Sequence, residues 1–276
     1  MRITWYGTAA LVLEHEDFRV AVDPFVAMAP IGISDKKRYQ SSRARELKNV
    51  DAVLVTHGHF DHIHDIPTLF YDSEAVIYAT DTPCATLRTL GMPDDRLHRI
   101  APGDSFTLGA FEIAVCQGRH CKFDLGVVRK TLLKKDTAKH PGTLIKMLRL
   151  NKAFPENGET LFYEIQCDGK RLQLMGSMGM DENTIYPDSA DALILPFQGT
   201  GDPSVTVKPI IETLKPKRIL LDHYDDAFPP MSSQIPTDDF VVKTNGSGIL
   251  CEAMLVGKRY RIRCSRTRCN CREVRT

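Results

Sequence analysis

The chain has 276 residues, of which 42% are hydrophobic. This composition is that of an ordinary globular protein, and it excludes a disordered chain, a collagen and a coiled-coil rod. The 36 basic and 35 acidic residues leave a formal net charge of +1, so the overall charge gives no argument for a nucleic-acid or membrane partner. The length accommodates one large domain or two small ones.

The beginning of the chain predicts three short antiparallel strands, at residues 2–5, 9–13 and 18–22, with a polar turn at 14–17. No signal peptide is recognisable before these strands, and no apolar run reaches the ~18–20 residues that cross a bilayer. We therefore expect a cytoplasmic protein whose eight cysteines stay reduced.

The middle and the end of the chain alternate strands with helices. The apolar, β-branched run at 51–56 predicts a strand that is covered on both faces. The later predicted elements are a strand at 75–79, a helix at 82–90, a hairpin at 106–116, a second hairpin at 160–175, strands at 191–195 and 218–221, and a helix at 203–214. Because strands recur in both halves without a linker, we predict one α/β domain over residues 1–261.

Two basic segments stand outside this pattern. Residues 122–158 lack strand alternation and are predicted to be an insertion with short amphipathic pieces; the stretch 119–152 holds ten basic and two acidic residues, a local charge of +8. The tail at 262–276 is also basic and contains Cys264, Cys269 and Cys271. These three thiols are one short of a four-cysteine zinc site unless Cys251 or another chain contributes, and a reduced flexible tail is the preferred interpretation.

The strongest functional signal is a cluster of histidines at residues 57–62, directly after the buried strand. His57, His59, Asp61 and His62 place three imidazoles and a carboxylate within six residues. Imidazole nitrogen and carboxylate oxygen suit zinc, with manganese or iron as alternatives. Crowded ligands of this kind would cost stability without a metal, so the cluster predicts a metal site at which His57 and His59 face one ion, and Asp61 and His62 a second.

This HxHxDH motif resembles the signature of the metallo-β-lactamase superfamily. The resemblance extends to WYGTA at 5–9, VDPF at 22–25, LPFQGT at 195–200 and HYDDAFP at 223–229. It is closest to the branch of ascorbate-phosphate-lactonase-like and N-acyl-phosphatidylethanolamine phospholipase D-like hydrolases. The resemblance implies an α/β fold, a four-layer αββα sandwich, with the metal at one edge between two sheets.

The resemblance also implies a third histidine at the first metal, beside His57 and His59. His120 is the positional candidate because it follows the strand that ends at Cys116, whereas His98 and His140 fit less well. A lone histidine is usually structural, so this assignment depends on the position of His120 relative to the cluster.

For the second metal, the resemblance implies Asp61, His62 and a late histidine after a buried strand, which His223 satisfies. Ligating histidines usually donate their other N–H to a carboxylate or carbonyl group, which makes Asp23 and His64 candidates for orienting them. Tyr224 and Gln198 lie on loops after strands and are candidates for substrate contact.

The sequence departs from the family at the bridging carboxylate, an aspartate that normally follows a glycine at a strand end in the second half. Ser177 stands at this position, after Gly176, and Asp181 could substitute only if the intervening loop folds back. Without an anion between them, two cations ~3.5–4 Å apart repel each other more strongly. One tightly held ion, or a labile pair, is therefore expected.

These residues predict a metal-dependent hydrolase. The metal would lower the pKa of a bound water towards ~7 and so supply hydroxide at neutral pH, with Asp61 as the catalytic residue that orients this water or accepts its proton. The +8 segment favours a small anionic substrate, a phosphorylated or carboxylated ester, lactone or phosphodiester. A membrane surface is a weaker partner, and nucleic acid ranks below a small molecule. The competing hypothesis is a metal-binding or sensory protein with little catalysis.

Overall fold

The computed structural model describes residues 1–26, 36–121, 139–226, 228–229 and 232–262. Residues 122–138 of the predicted insertion, with Leu132 and Leu133, lie outside this part of the chain, as does the tail beyond 262 with its three cysteines. The division into one domain at 1–261 and a separate tail stays a prediction.

The described elements alternate strands with helices along the chain. The strands are β1 Arg2–Trp5, β2 Leu11–His15, β3 Phe18–Val22, β4 Ala52–Leu54, β5 Val76–Ala79, β6 Leu97–Arg99, β7 Ser105–Leu108, β8 Phe111–Arg119, β9 Leu161–Cys167, β10 Lys170–Met175, β11 Gly179–Met180, β12 Ala192–Pro196, β13 Arg218–Asp222, β14 Leu250–Ala253 and β15 Arg259–Arg261. The helices are α1 Lys36–Lys48, α2 Phe60–Ile63, α3 Ile66–Phe70, α4 Asp81–Thr89, α5 Pro141–Ala153, α6 Pro203–Thr206, α7 Lys208–Leu214 and α8 Asp238–Gly246, with a 3₁₀ turn at Asp94–Arg96.

Within the described residues the strands form two mixed sheets. The first has the order β15-β1-β2-β3-β4-β5-β6, antiparallel from β15 to β3 and parallel from β3 to β6. The second has the order β11-β8-β9-β10-β12-β13-β14, and β7 pairs with β8. Its strands are antiparallel up to β10 and parallel from β10 to β14.

Side-chain alternation along the strands separates the layers. On β2, Leu11 and Leu13 join the larger core cluster with Phe111 and Phe162 of the second sheet, whereas Val12 joins the cluster under helices α1 to α4. Alternate residues of a strand point to opposite faces, so one sheet serves two cores at once. The predicted four-layer αββα sandwich is confirmed.

Most predicted elements lie where the sequence places them, with three differences. The strand predicted at 9–13 begins at Leu11, because Thr8 (φ +51°) lies in a tight turn in which Ala10 N–H donates to the Gly7 carbonyl. The helix predicted at 203–214 is split at Val207, close to Pro209, which has no N–H to continue the helix. Helices α1, α3 and α8 and strands β6, β11, β14 and β15 were not predicted.

Helix α5 lies in the described part of the basic insertion, residues 139–158. Leu144 and Leu150 pack against the core cluster under the first sheet, while Ile145 and Leu148 are about half exposed. The helix is therefore amphipathic, as predicted, and one part of its apolar stripe packs on the core while another part stays exposed. No helix among the described residues combines the length and the apolar character needed to cross a membrane.

We predict that the core between the sheets dominates stability. Leu220→Ala, which truncates a side chain of β13 with no exposed surface, should lower the free energy of unfolding by about 2–5 kcal/mol because it leaves a cavity. Leu148→Ala, at a residue with 58% exposure, should change it by less than about 0.5 kcal/mol. Urea unfolding followed by circular dichroism measures both, and equal losses would contradict this assignment of the core.

Candidate metal centre

The histidine motif occupies the turn between β4 and α2, at the carboxyl end of a buried strand. His57 is almost fully buried, and His59 is the residue that precedes the first turn of α2. A side chain at Gly58 would place its Cβ 2.3 Å from the Pro155 carbonyl oxygen, so only glycine fits between the motif and the end of the insertion. This turn directs the imidazoles to the edge where the two sheets meet.

The first group of ligand atoms contains His57, His59 and His120. One ligand atom from each lies within 4.8 Å of the others, and His57 Nε2 lies 3.1 Å from His59 Nδ1. His120 directly follows β8 of the second sheet, whereas His57 and His59 follow β4 of the first. The three imidazoles therefore meet across the interface between the sheets.

The second group contains Asp61, His62 and His223, again with ligand atoms within 4.8 Å of one another. His223 Nε2 lies 3.3 Å from Asp61 Oδ2, and His62 Nε2 lies 4.0 Å from Asp61 Oδ1. The two groups adjoin, since the rings of His57 and His62 are 3.8 Å apart between centroids. His223 follows β13 and has φ +53°, a left-handed turn that ends the strand.

A buried carboxylate orients the motif. Asp23, 1% exposed, lies 2.8 Å from His62 Nδ1 and accepts hydrogen bonds from the Thr56 backbone N–H at 2.8 Å and the Thr56 hydroxyl at 2.6 Å. The Thr56 hydroxyl is also 3.0 Å from His57 Nδ1. These contacts engage the Nδ1 atoms and leave Nε2 of both histidines for a ligand.

The two distant histidines are held in the same way. His120 Nδ1–H donates to the Cys121 carbonyl at 2.9 Å, which leaves its Nε2 for the first group. His223 Nδ1 lies 3.1 Å from the Gln198 side-chain oxygen, so its Nε2 faces Asp61. In each case a hydrogen bond at one ring nitrogen sets the orientation of the other.

The electrostatics of the first group favour the neutral form of His57 and His59, whereas the pKa of His120 is raised, because its interactions with Cys121 outweigh the burial that opposes its charge. Burial, reinforced by neighbouring imidazoles, lowers the pKa of His57 well below its usual value and lowers the pKa of His59 to about 4. Neutral imidazole is the form that binds metal.

The second group carries a charge pair. Burial opposes the charge of Asp61, but His62 and His223 outweigh it and hold the pKa of this carboxyl below its usual range. Burial opposes the charge of His223 as well, yet the hydrogen bond that His223 donates to the Asp61 carboxylate raises its pKa to about 9. In the metal-free protein, protonated His223 thus supplies the positive charge beside Asp61 that a metal ion would otherwise supply. A set of five imidazoles and one carboxylate fits zinc or a similar divalent ion.

The remaining candidates from the sequence lie around this centre in different ways. Ser177 is buried, and its hydroxyl accepts a hydrogen bond from the Cys121 N–H at 3.0 Å. Asp181 bonds to Arg119 and Thr184 and belongs to neither ligand group. The loop after Ser177 therefore does not bring a substitute carboxylate into either group.

Two other candidates have contacts of their own. His64 pairs with Asp65, at 2.6 Å, rather than with the clustered histidines. The Tyr224 hydroxyl donates to the Met254 carbonyl and its ring stacks on Trp5, so this side chain belongs to the core. His98 lies on β6 against Tyr78, away from both groups.

Sequence reasoning did not single out Thr56 as an orienting residue. It treated Gln198 only as a candidate for substrate contact. Thr56 closes the segment just before the motif, where a hydroxyl reaches both His57 and Asp23. A polar residue at the end of an otherwise apolar run was the available signal for it.

The geometry of the fold and the centre agrees with comparisons to known proteins. Residues 2–223 match the model of the beta-lactamase superfamily domain. The chain therefore belongs to the metallo-β-lactamase superfamily, whose HxHxDH signature is present at residues 57–62. The prediction of a metal-dependent hydrolase of this superfamily is confirmed by the family match and by the names of the relatives.

Curated relatives bear the name UPF0173 metal-dependent hydrolase. The one from Polaromonas sp. is 24% identical over 245 residues, which cover 86% of this chain and 81% of the relative. Those from Pyrobaculum islandicum and Rhizobium leguminosarum are 28% and 30% identical, each over 44% of this chain. These two alignments span only about half of each relative's length, 51% and 48%.

Solved structures share the fold at low sequence identity. Igni18, a metallo hydrolase from Ignicoccus hospitalis, has a TM-score of 0.59 at 18% identity, covering 95% of this chain and 99% of that one. The isothiocyanate hydrolase from Delia radicum gut bacteria has a TM-score of 0.59 at 17% identity with the same coverage. YhfI from Bacillus subtilis has a TM-score of 0.59 at 15% identity, and the match covers 94% of this chain and 98% of YhfI.

We predict that Asp23→Asn weakens metal binding about 10–100-fold, because the amide keeps the size of the side chain but loses the charge that orients His62. Competition with a chromophoric chelator measures the affinity. Asp94→Asn, at an exposed carboxylate paired with Arg88, is the matched control and should leave the affinity unchanged. Equal effects of the two variants would remove Asp23 from the orienting network.

Proposed function

We propose that the protein is a metal-dependent hydrolase of a small anionic substrate, an ester, lactone or phosphodiester that carries a phosphate or carboxylate. The observation that carries this proposal is the meeting of two three-ligand groups at one edge of the sandwich. The ligands are proposed to be His57, His59 and His120 at the first ion, and Asp61, His62 and His223 at the second. Zinc is the proposed metal, with manganese or iron as alternatives.

When bound, the metal would supply a Lewis acid that lowers the pKa of water and polarises the bond under attack. The protein contributes orientation and charge. Asp61 is ionised, 20% exposed, and next to His223, so it can orient the attacking water and accept its proton. Asp23 and Thr56 hold the imidazoles of the motif so that their free nitrogens stay aimed at the site.

Two features support an anionic substrate. Arg119 is half exposed and immediately precedes His120, and its guanidinium pairs with Asp181 and, at 3.8 Å, with Glu182. A planar guanidinium has five N–H donors, so it can also bond an anion at its exposed side. Helix α5 carries exposed basic side chains, and its end lies against the motif: the Phe154 ring is 5.6 Å from that of His64, and Pro155 lies against Gly58. A phosphate or carboxylate would thus be attracted towards the metal centre.

The finer family branch is part of the same proposal. The WYGTA and VDPF segments support a place near the ascorbate-phosphate-lactonase-like and N-acyl-phosphatidylethanolamine phospholipase D-like hydrolases. On this proposal, a lactone and a phosphodiester are the first substrates to assay.

A second candidate function, metal binding or sensing with little catalysis, is favoured by one observation. Ser177 occupies the position of the bridging aspartate, and Asp181 is engaged elsewhere. A site without this anion would hold its second ion weakly.

We predict that Asp61→Asn lowers turnover about 10²–10⁴-fold, the usual effect of losing a general base. The zinc-loaded protein is assayed with phosphodiesters, lactones and thioesters, and the wild type should turn over at least one class. The first ion should stay bound in the variant, because its three ligands are histidines.

Three results decide between the candidates. Absence of turnover by the zinc-, manganese- and iron-loaded wild type would favour the sensory function. Full activity of Asp61→Asn would remove Asp61 from the mechanism. Loss of the first ion from this variant would show that the ligands are divided wrongly.

We also predict that the dialysed wild type retains nearer one metal ion than two per chain, as measured by elemental analysis. Ser177→Asp should raise occupancy of the second site, because a carboxylate reduces the repulsion between the ions. Ser177→Asn is the control, because asparagine is similar in size to aspartate but carries no charge. Two tightly held ions in the wild type would defeat this argument.

A further inference from the structure

A separate cluster of metal-ligating side chains lies where two hairpins from different sheets meet. His15 ends β2 of the first sheet, and Cys167 and Asp168 lie at the end of β9 in the second. Ligand atoms of the three side chains all lie within 4.8 Å of one another. They provide one nitrogen, one sulfur and one oxygen, a donor combination that suits zinc and similar transition metals.

This cluster is distinct from the proposed hydrolytic centre. Strand β9 begins at Leu161, whose N–H bonds to the Thr56 carbonyl beside the histidine motif, and ends at Cys167. Seven residues in a strand span about 20 Å. The cluster therefore lies at the opposite end of the sandwich, where none of the hydrolytic ligands can reach it.

The burial of the three donors differs in a way that suits a bound ion. Cys167 is 2% exposed and belongs to the core, whereas the side chains of His15 and Asp168 are 15% and 64% exposed. An ion could thus enter from solvent on the Asp168 side and meet the thiol at the bottom of the site. Phe111, fully buried, lies edge-on to the His15 ring and keeps the imidazole in place.

We propose that His15, Cys167 and Asp168 form a second, structural metal site that fastens the two sheets together. His15 Nε2 and Asp168 Oδ2 are now 2.5 Å apart, and the ion would replace this direct hydrogen bond. The Cys167 thiol releases its proton to solvent when sulfur binds the metal. The proton that His15 Nε2 shares with Asp168 is also released from that nitrogen to solvent, and the neutral ring that binds through Nε2 carries its one proton on Nδ1. Three protein ligands leave one position of a tetrahedral ion for water.

Such an ion would stabilise the folded state, because unfolding separates His15 from the two ligands of the other sheet. Its occupancy shifts the unfolding equilibrium by mass action. With zinc at about a hundredfold excess over its dissociation constant, the melting temperature should rise by roughly 5–10 °C through this site.

Cobalt titration of the full-length, metal-free protein tests the site by a signal that is independent of activity. A thiolate bound to Co²⁺ gives a charge-transfer band in the near ultraviolet, which imidazole and carboxylate ligands do not give. The background variant has Cys264, Cys269 and Cys271 changed to serine, so that the tail contributes no thiolate. This background should show the band and bind Co²⁺ at the new site in addition to the hydrolytic centre.

Single changes in that background decide the assignment. Cys167→Ser should abolish the band and remove one bound Co²⁺, and Cys121→Ser, at the thiol beside His120, should keep both. If Cys167→Ser does not fold, as judged by circular dichroism, His15→Gln should weaken the band-forming binding at least tenfold. Absence of the band in the background, its survival in a folded Cys167→Ser protein, or its loss in Cys121→Ser would overturn the proposal.

Discussion

Five imidazoles at one edge of a sandwich repel one another if all of them carry a proton, and the site is built around this constraint. Burial holds His57 and His59 in the neutral form. Two imidazoles have a raised pKa: His223 has the Asp61 carboxylate against it, and for His120 the interactions with Cys121 outweigh the burial that opposes its charge. Positive charge is thus favoured at these two histidines rather than at His57 and His59. The neutral imidazoles are in the form that accepts a metal cation.

The sequence predicted the parts of the structure that depend on local patterns of residues. The buried strand before the motif, the hairpins and the four layers follow from alternation of apolar side chains, and HxHxDH locates one half of the centre. The other half depends on long-range pairing: His120 and His223 come from strand ends of the second sheet, so only a family resemblance could select them. Thr56 was overlooked because its role comes from the distance between its hydroxyl and Asp23, which no spacing encodes.

Elements that pack by tertiary contact were the least predictable. Helix α1 is strongly polar, and only Leu47 and Arg43 are buried among its described side chains. Strand β15 has three residues and depends on pairing with β1 across most of the chain length. Tyr224 illustrates the converse case: its place on a loop after a strand suggested a substrate contact, whereas its ring stacks on Trp5.

The close approach of Pro155 to Gly58 has a consequence for how this protein could diversify. The basic insertion leaves the sandwich after His120 and Cys121, and it returns at Phe154 and Pro155, so both of its ends are anchored beside the motif. Helix α5, the described helix between these anchors, supplies no member of the two ligand groups. Its exposed side chains can therefore change in charge and size, and with them the selectivity for a substrate, while the residues of the metal centre stay the same.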